Sequence, residues 1–210
     1  MDGKGILIVV SGFSGAGKGT LMKRLLEKYE ETYALSVSAT TRRSREGEVD
    51  GREYFFKTKE EFEKMIAKAE LIEYARYVEN YYGTPKTYVE EQLNAGKDVI
   101  LEIEIQGALK VKKAFPDTLL LFVVPPNAEE LKRRLIRRGT ESREVIESRL
   151  KRAVEESEGM EEYDYLIVND DLEACVEQMH CIIRSQHFRI AGKKAFVEKL
   201  KEELRCLKGE

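Results

Sequence analysis

Cysteine is scarce in this chain. Cys175, Cys181 and Cys206 are three among 210 residues, an odd and sparse set that argues against a disulfide scaffold and for a reduced, cytoplasmic compartment. Long apolar runs are missing too: no segment approaches the roughly 20 residues a membrane helix needs, so no membrane partner is expected. Met1-Asp2-Gly3-Lys4-Gly5 has no signal-peptide layout and leads directly into apolar sequence. Nor is one sign of charge in excess. The 36 Lys and Arg against 39 Asp and Glu give a net charge of −3, which supplies no global field for nucleic acid. A polyanion site must therefore be local. Cys175, His180, Cys181 and His187 invite a metal reading, but their spacing matches no zinc pattern and the stretch reads as helix. Internal repeats and low-complexity segments are absent. With 42% hydrophobic and 36% charged residues, the makeup is that of a soluble globular protein long enough for a sizeable core.

What is present centres on Ile6 to Thr20. Ile6, Leu7, Ile8, Val9 and Val10 form an apolar run without helical spacing, the pattern of a strand buried on both faces. Gly12-Phe13-Ser14-Gly15-Ala16-Gly17-Lys18 follows at once, and Leu21, Leu25, Leu26 and Tyr29 then recur at helical spacing. Strand, glycine turn, lysine and helix are the context a phosphate loop requires. The glycines let backbone N–H groups converge on phosphate oxygens, while the helix N-terminus and Lys18 add positive charge. One detail departs from the commonest form. Gly19 stands where a hydroxyl near Mg²⁺ is usual, and Thr20 comes one step later.

Further along, Leu35-Ser36-Val37-Ser38 alternates like a short strand, and a polar loop from Ala39 to Gly51 carries Arg42, Arg43 and Arg45. Tyr54-Phe55-Phe56 returns to strand character. Thr58 and Glu61 make a capping box for a helix with Phe62, Met65, Ile66 and Ala69 on its buried face. Glu73 lies in the apolar-aromatic stretch LIEYARYV, where a carboxylate is costly to bury unless it meets donors; an outward-facing strand residue is the alternative. Asn80 to Pro85 reads as a turn, with Thr84 as N-cap and Pro85 opening a helix that ends at Gly96.

Asp98 to Ile105 reads as a second buried strand with Glu102 and Glu104 near its carboxyl end, where open α/β sheets bind ligands. A helix over Gln106–Ala114, a third strand over Thr118–Val124 and a fourth at Tyr165–Val168 follow. Strands separated by helices imply right-handed crossovers and a parallel sheet. Asn127 caps a helix after Pro125-Pro126, and seven arginines (133, 134, 137, 138, 143, 149 and 152) sit on two helical pieces broken at Gly139-Thr140. A solvated charged face is one reading; in a chain with a phosphate loop, a lid closing over transferring phosphate is the other. Asn169-Asp170-Asp171 ends the fourth strand. Leu172, Val176, Met179 and Ile183 line an amphipathic helix, and a last helix over Ala191–Leu207 is expected to turn Phe196, Leu200 and Leu204 inward.

Taken together, SGFSGAGKGT, SVSATTRRSREGEVDGREYFF, EYARYVENYYGT, LEIEIQGA, RLIRRGTES and YLIVNDD resemble the guanylate kinase family in order and spacing over nearly the whole chain. The resemblance implies an α/β phosphate-loop core (1–36, 86–126 and 153–210) with a mainly parallel sheet flanked by helices. It adds a monophosphate-binding lobe over 37–85 and a helical lid over 127–152. It implies transfer of the γ-phosphoryl group of ATP to GMP, and to dGMP, with Mg²⁺ and without an obligatory protein partner. Gly12, Phe13, Ser14, Gly15, Ala16, Gly17, Lys18, Gly19 and Thr20 would hold ATP phosphates, and Asn169 and Asp171 the adenine. Ser38, Glu73 and Thr84 would contact guanine; Arg42, Arg45, Tyr54 and Tyr82 would hold the GMP phosphate. Arg134, Arg138 and Arg149 would neutralise charge in flight. Glu104 would serve GMP, with Thr20 and Glu102 toward the metal, although the family usually has Asp at the position of Glu104. A kinase of another nucleoside monophosphate is the alternative within enzymes. Outside them, the same fold serves as a scaffold module for phosphorylated peptides, which commonly lacks the loop lysine or lid arginines kept here.

Overall fold

In the computed structural model, which describes residues 4–77, 79–137 and 142–207, the chain opens with β1 (Leu7–Gly12), α1 (Lys18–Lys28), β2 (Tyr33–Leu35), β3 (Ala39–Thr40), β4 (Phe55–Phe56) and α2 (Lys59–Ala67). Then come β5 (Leu71–Tyr77), β6 (Asn80–Pro85), α3 (Lys86–Asn94), β7 (Asp98–Glu102), α4 (Ile105–Ala114) and β8 (Leu119–Val124). The last third holds α5 (Ala128–Arg137), α6 (Arg143–Ser157), β9 (Tyr165–Val168), α7 (Leu172–Gln186) and α8 (Lys194–Leu207).

Five strands form a parallel sheet in the order β2-β7-β1-β8-β9, with β1 in the middle. Successive side chains of β1 point to opposite faces, and both faces are covered. Ile8 and Val10 pack with Leu21, Met22 and Leu25 of α1, Leu131 and Leu135 of α5, and Val176, Met179 and Ile183 of α7. Leu7 and Val9 pack on the other side with Val89 and Leu93 of α3 and Ala108 and Val111 of α4. The result is three layers, helix–sheet–helix, as the alternating strands and helices predict. A smaller sheet, β4-β3-β6-β5, stands beside the carboxyl end of the first. Phe62 of α2 is buried beneath it, its ring stacked on Tyr81 at 5.3 Å. The capping box forms as expected: Thr58 Oγ1 accepts from the Glu61 amide, and Glu61 Oε2 accepts from the Thr58 amide at 2.7 Å.

Several local expectations are corrected. Residues 36–38 are not a strand; the chain leaves the first sheet after β2 and joins the second at β3. Asn80–Pro85 is strand β6 rather than a turn, because antiparallel pairing with β5 (Ala75 opposite Tyr82, Arg76 opposite Tyr81) overrides the local turn chemistry. Pro85 is consequently the N-cap of α3, and Thr84 bonds elsewhere. β7 stops at Glu102, and Glu104 is the N-cap residue of α4. Ala69 lies beyond α2 at φ 53° and is exposed. β9 is an edge strand on which only Ile167 is buried. Phe196, Leu200 and Leu204 of α8 are exposed rather than inward: the amphipathic spacing forms a face that no described residue covers.

Candidate active site

The loop between β1 and α1 lies at the carboxyl edge of the parallel sheet. Gly12 has φ 150° and Gly17 φ 92°, and both positions are also crowded. A Cβ on Gly12 would sit 2.1 Å from the Val123 carbonyl oxygen, and one on Gly17 2.5 Å from Asn169 Nδ2. Phe13 anchors the loop by an edge-to-face contact with Phe122, ring centroids 5.3 Å apart. The Ala16 carbonyl accepts from Asn169 Nδ2 at 2.8 Å and Arg134 Nη1 at 3.1 Å. Lys18 folds back across the loop, its Nζ donating to the Gly12 and Phe13 carbonyls at 2.6 and 3.2 Å. α1 has no acidic residue in its first turn, so its positive end is unopposed within the helix. Ser14 Oγ is bonded by Arg149 Nη1 of α6.

Two cavities are lined by this loop, and another adjoins one of them across a shared wall. The first, about 560 Å³, brings Ser14, Lys18, Glu102, Glu104, Arg149 and Arg152 together. The second, about 550 Å³, is lined by Ser38, Tyr54, Glu73, Tyr82, Glu102 and Glu104, with Arg152 at its edge. The two share the wall formed by Glu102, Ile103 and Glu104. The third, about 660 Å³, lies on the other side of the loop with Gly17, Thr20, Arg134, Asn169 and Asp170.

Glu73 is buried, 8% exposed, so it is not the outward-facing strand residue. Its Oε1 accepts from Thr84 Oγ1 at 2.9 Å. Burial pushes its carboxyl above the usual carboxylate range, against the pull of Thr84 and Lys110. Glu102 is exposed at the end of β7, where the surrounding groove walls raise its carboxyl and Lys18 works the other way. Desolvation raises the phenol of Tyr54, whose ring meets Tyr82 at 6.0 Å. Arg42 stacks over the Tyr54 ring at 5.3 Å, and its Nη2 alone donates to both Glu48 carboxylate oxygens at 2.8 and 3.0 Å. That pairing holds the Glu48 carboxyl below its ordinary range.

Some expected residues are not brought together. Arg45 is exposed, and neither it nor Arg42 lines the second cavity. Thr20 opens onto the third cavity while Glu102 lines the first and second, so the two do not meet at one metal position. Arg134 is directed at Ala16 O, Asn169 O and Glu130, beside Asn169 and away from the cavity of Lys18. Asp171 spends its carboxylate capping α7, accepting from the Ala174 amide at 2.8 Å, and Asp170 lines the third cavity instead. Arg138 lies outside the described residues. His180 bonds the Tyr33 hydroxyl and stacks on Tyr29, and His187 pairs with Asp98. Arg152, Glu156 and Gln106 also line this region; only Arg152 carried a sequence signal, as one of the run of arginines.

A glycine loop, its lysine and an open helix terminus at the carboxyl edge of a parallel sheet define the class: this is a phosphate-loop nucleotide-binding fold. A family model described as guanylate kinase matches residues 4–186. The chain is 53% identical to the guanylate kinase of Streptococcus pneumoniae over 188 residues, 90% of each chain. It is 54% identical to that of Oceanobacillus iheyensis over 186 residues, covering 89% of this chain and 90% of the other. A crystal structure of guanylate kinase from Anaplasma phagocytophilum matches the fold with a TM-score of 0.70 at 33% identity, over 90% and 89% of the two chains. The chain belongs to the guanylate kinase family, the ATP:GMP phosphotransferases.

Proposed function

We propose that the first cavity takes the ATP phosphates, the third the adenine, and the second GMP, so that the γ-phosphoryl group crosses the Glu102–Glu104 wall to yield ADP and GDP. The observation that carries this division is Glu73: a buried carboxylate, aimed by Thr84, in a cavity adjoining that of Lys18. Guanine offers N1–H and an exocyclic amine side by side, and a carboxylate accepts both; adenine has no such pair. Ser38 lines the cavity for the base, while Thr84, fully buried and outside that lining, acts through Glu73; Tyr54 and Tyr82 receive the GMP phosphate. Arg42 and Arg45 join them when the 37–85 lobe closes, Arg42 exchanging Glu48 for phosphate, which its planar fork can hold by two nitrogens.

On the donor side, residues 12–20 wrap the triphosphate and Lys18 moves its Nζ from two carbonyls to phosphate oxygens. Arg149, with Arg138, neutralises the group in flight. Arg134 and Asn169 support the loop and border the adenine, with Asp170 rather than Asp171 facing it. The GMP phosphate oxygen is already a nucleophile, so no covalent enzyme intermediate is needed; the task is to bring two polyanions into line and exclude water. Closure of the 37–85 and 127–152 lobes would do both.

Mg²⁺ fits this arrangement. It is bound mostly through substrate phosphates plus one or two carboxylates, and among the described residues no cluster of three or more His, Cys, Asp or Glu forms a cage for it. Glu102, exposed at the end of β7 and lining the first cavity with Lys18, is the group that would hold it, with Glu104 next. When bound, the ion neutralises the β- and γ-phosphate oxygens. Among the described residues no helix is long and apolar enough to cross a membrane, and three free cysteines suit a reduced, cytoplasmic setting. The testing experiment is ADP release with ATP and GMP, dGMP, AMP, UMP or CMP as acceptor. GMP and dGMP should support turnover and the others should not; equal rates with AMP would overturn the guanine assignment.

A further inference from the structure

Of the three arginines of α6, Arg149 and Arg152, three positions apart, serve different ends of the groove. Arg149 reaches the phosphate loop at Ser14. Arg152 donates from Nη2 to Glu104 Oε2 at 2.5 Å and from Nε to Glu156 Oε1 at 3.0 Å. Glu104 occupies the N-cap of α4, where its carbonyl accepts from the Ala108 amide but its side chain makes no cap bond, so the carboxylate is turned to Arg152 rather than committed to capping. Arg152 borders both the Lys18 cavity and the Glu73 cavity, at the wall across which phosphoryl transfer would occur.

We infer that Arg152 is a positioning residue for the acceptor nucleotide, its guanidinium bridging Glu104 and Glu156 so that the Glu104 carboxylate stays fixed at the rim of the acceptor cavity. The inference rests on the acceptor reading of that cavity given above. A planar fork spans two carboxylates at once, which a lysine ammonium does less well. Without it, Glu104 and Glu156 repel each other and an unneutralised carboxylate faces the incoming GMP phosphate. Arg152 and Glu104 are 39% and 64% exposed, so solvent screening keeps the effect modest.

The test is steady-state kinetics of the full chain with GMP and ATP varied separately, for the native protein, Arg152→Met, Arg152→Lys, Glu104→Gln and the Arg152→Met/Glu104→Gln double variant. Thermal melts verify that each variant is folded. Arg152→Met should raise KM for GMP about fivefold, consistent with a partly exposed pair, and leave KM for ATP near native. Arg152→Lys should recover part of that loss. In the Glu104→Gln background, Arg152→Met should change KM for GMP by less than about twofold, because the residue acts through Glu104. An equal rise in both backgrounds, a matching rise in KM for ATP, or a fall in kcat alone would overturn the inference. Native protein that makes GDP while Arg152→Met keeps native constants sinks the inference alone; native protein that makes no GDP sinks the reading beneath it.

Discussion

Glu73→Gln separates recognition from stability at one atom. The Gln carbonyl oxygen can still accept from Thr84 Oγ1, which lies 2.9 Å from Glu73 Oε1, and this leaves the amide NH₂ directed at the ligand. One guanine donor then loses a charge-assisted bond worth about 1.5–3 kcal/mol and meets a donor instead. The combined loss is about 3–4 kcal/mol, or two to three decades in kcat/KM for GMP. Activity with AMP should stay at its low native level.

The stability effect runs the other way. Burial raises the Glu73 pKa above its unfolded value, so the folded chain binds more protons in that window. Stability from this group is therefore present below the unfolded pKa and is lost as pH rises through the folded one. At neutral pH the carboxylate is desolvated and under-compensated. Gln should relieve this by about 1 kcal/mol, a gain of about 2–4 °C in Tm for a chain of this size. The gain should vanish in acid, where native Glu73 is protonated in both states. Thermal melts across pH, paired with GMP and AMP kinetics, check both arms. A fall in GMP kcat/KM below threefold, or a variant less stable at pH 7, would refute the reasoning.

Lys18→Ala should nearly abolish turnover while leaving the melting curve close to native, since Lys18 lies at the rim of an open cavity and outside both hydrophobic clusters; stopped-assay ADP release checks it. Gly17→Ala places a Cβ 2.5 Å from Asn169 Nδ2 at φ 92° and should cost about 1–3 kcal/mol in stability, with ATP affinity falling as well, measured by urea melts and calorimetric titration. Thr58→Ala removes one half of the capping box and should lower stability by about 1 kcal/mol without altering kinetic constants, which distinguishes a fold residue from a site residue in the same lobe.

Legibility followed locality. The phosphate loop could be read because its strand, glycines, lysine and helix are contiguous, and the Thr58–Glu61 box because its partners are three residues apart. Glu73 stood out as an acid among apolar residues, but its partner Thr84 did not: the Asn80–Pro85 segment carries turn chemistry, and only pairing with β5 makes it a strand. Side-chain direction was the least readable feature. Arg134 and Arg149 look alike in sequence, yet one supports Ala16 from behind the loop and the other reaches Ser14 from above the groove. Asp170 and Asp171 are neighbours, and the choice of N-cap decides which of them remains available to the cavity. For α8 the periodicity showed an apolar face, and spacing alone carries no information about whether anything packs on it.

The most direct measurement follows the phosphorus atom itself. ATP labelled in its γ-phosphate is mixed with GMP, magnesium and the native chain, and the products are separated. Label should appear in the β-phosphate of GDP, in step with ADP release, and only in trace with Lys18→Ala. Label appearing only as inorganic phosphate, or GDP left unlabelled, would contradict it.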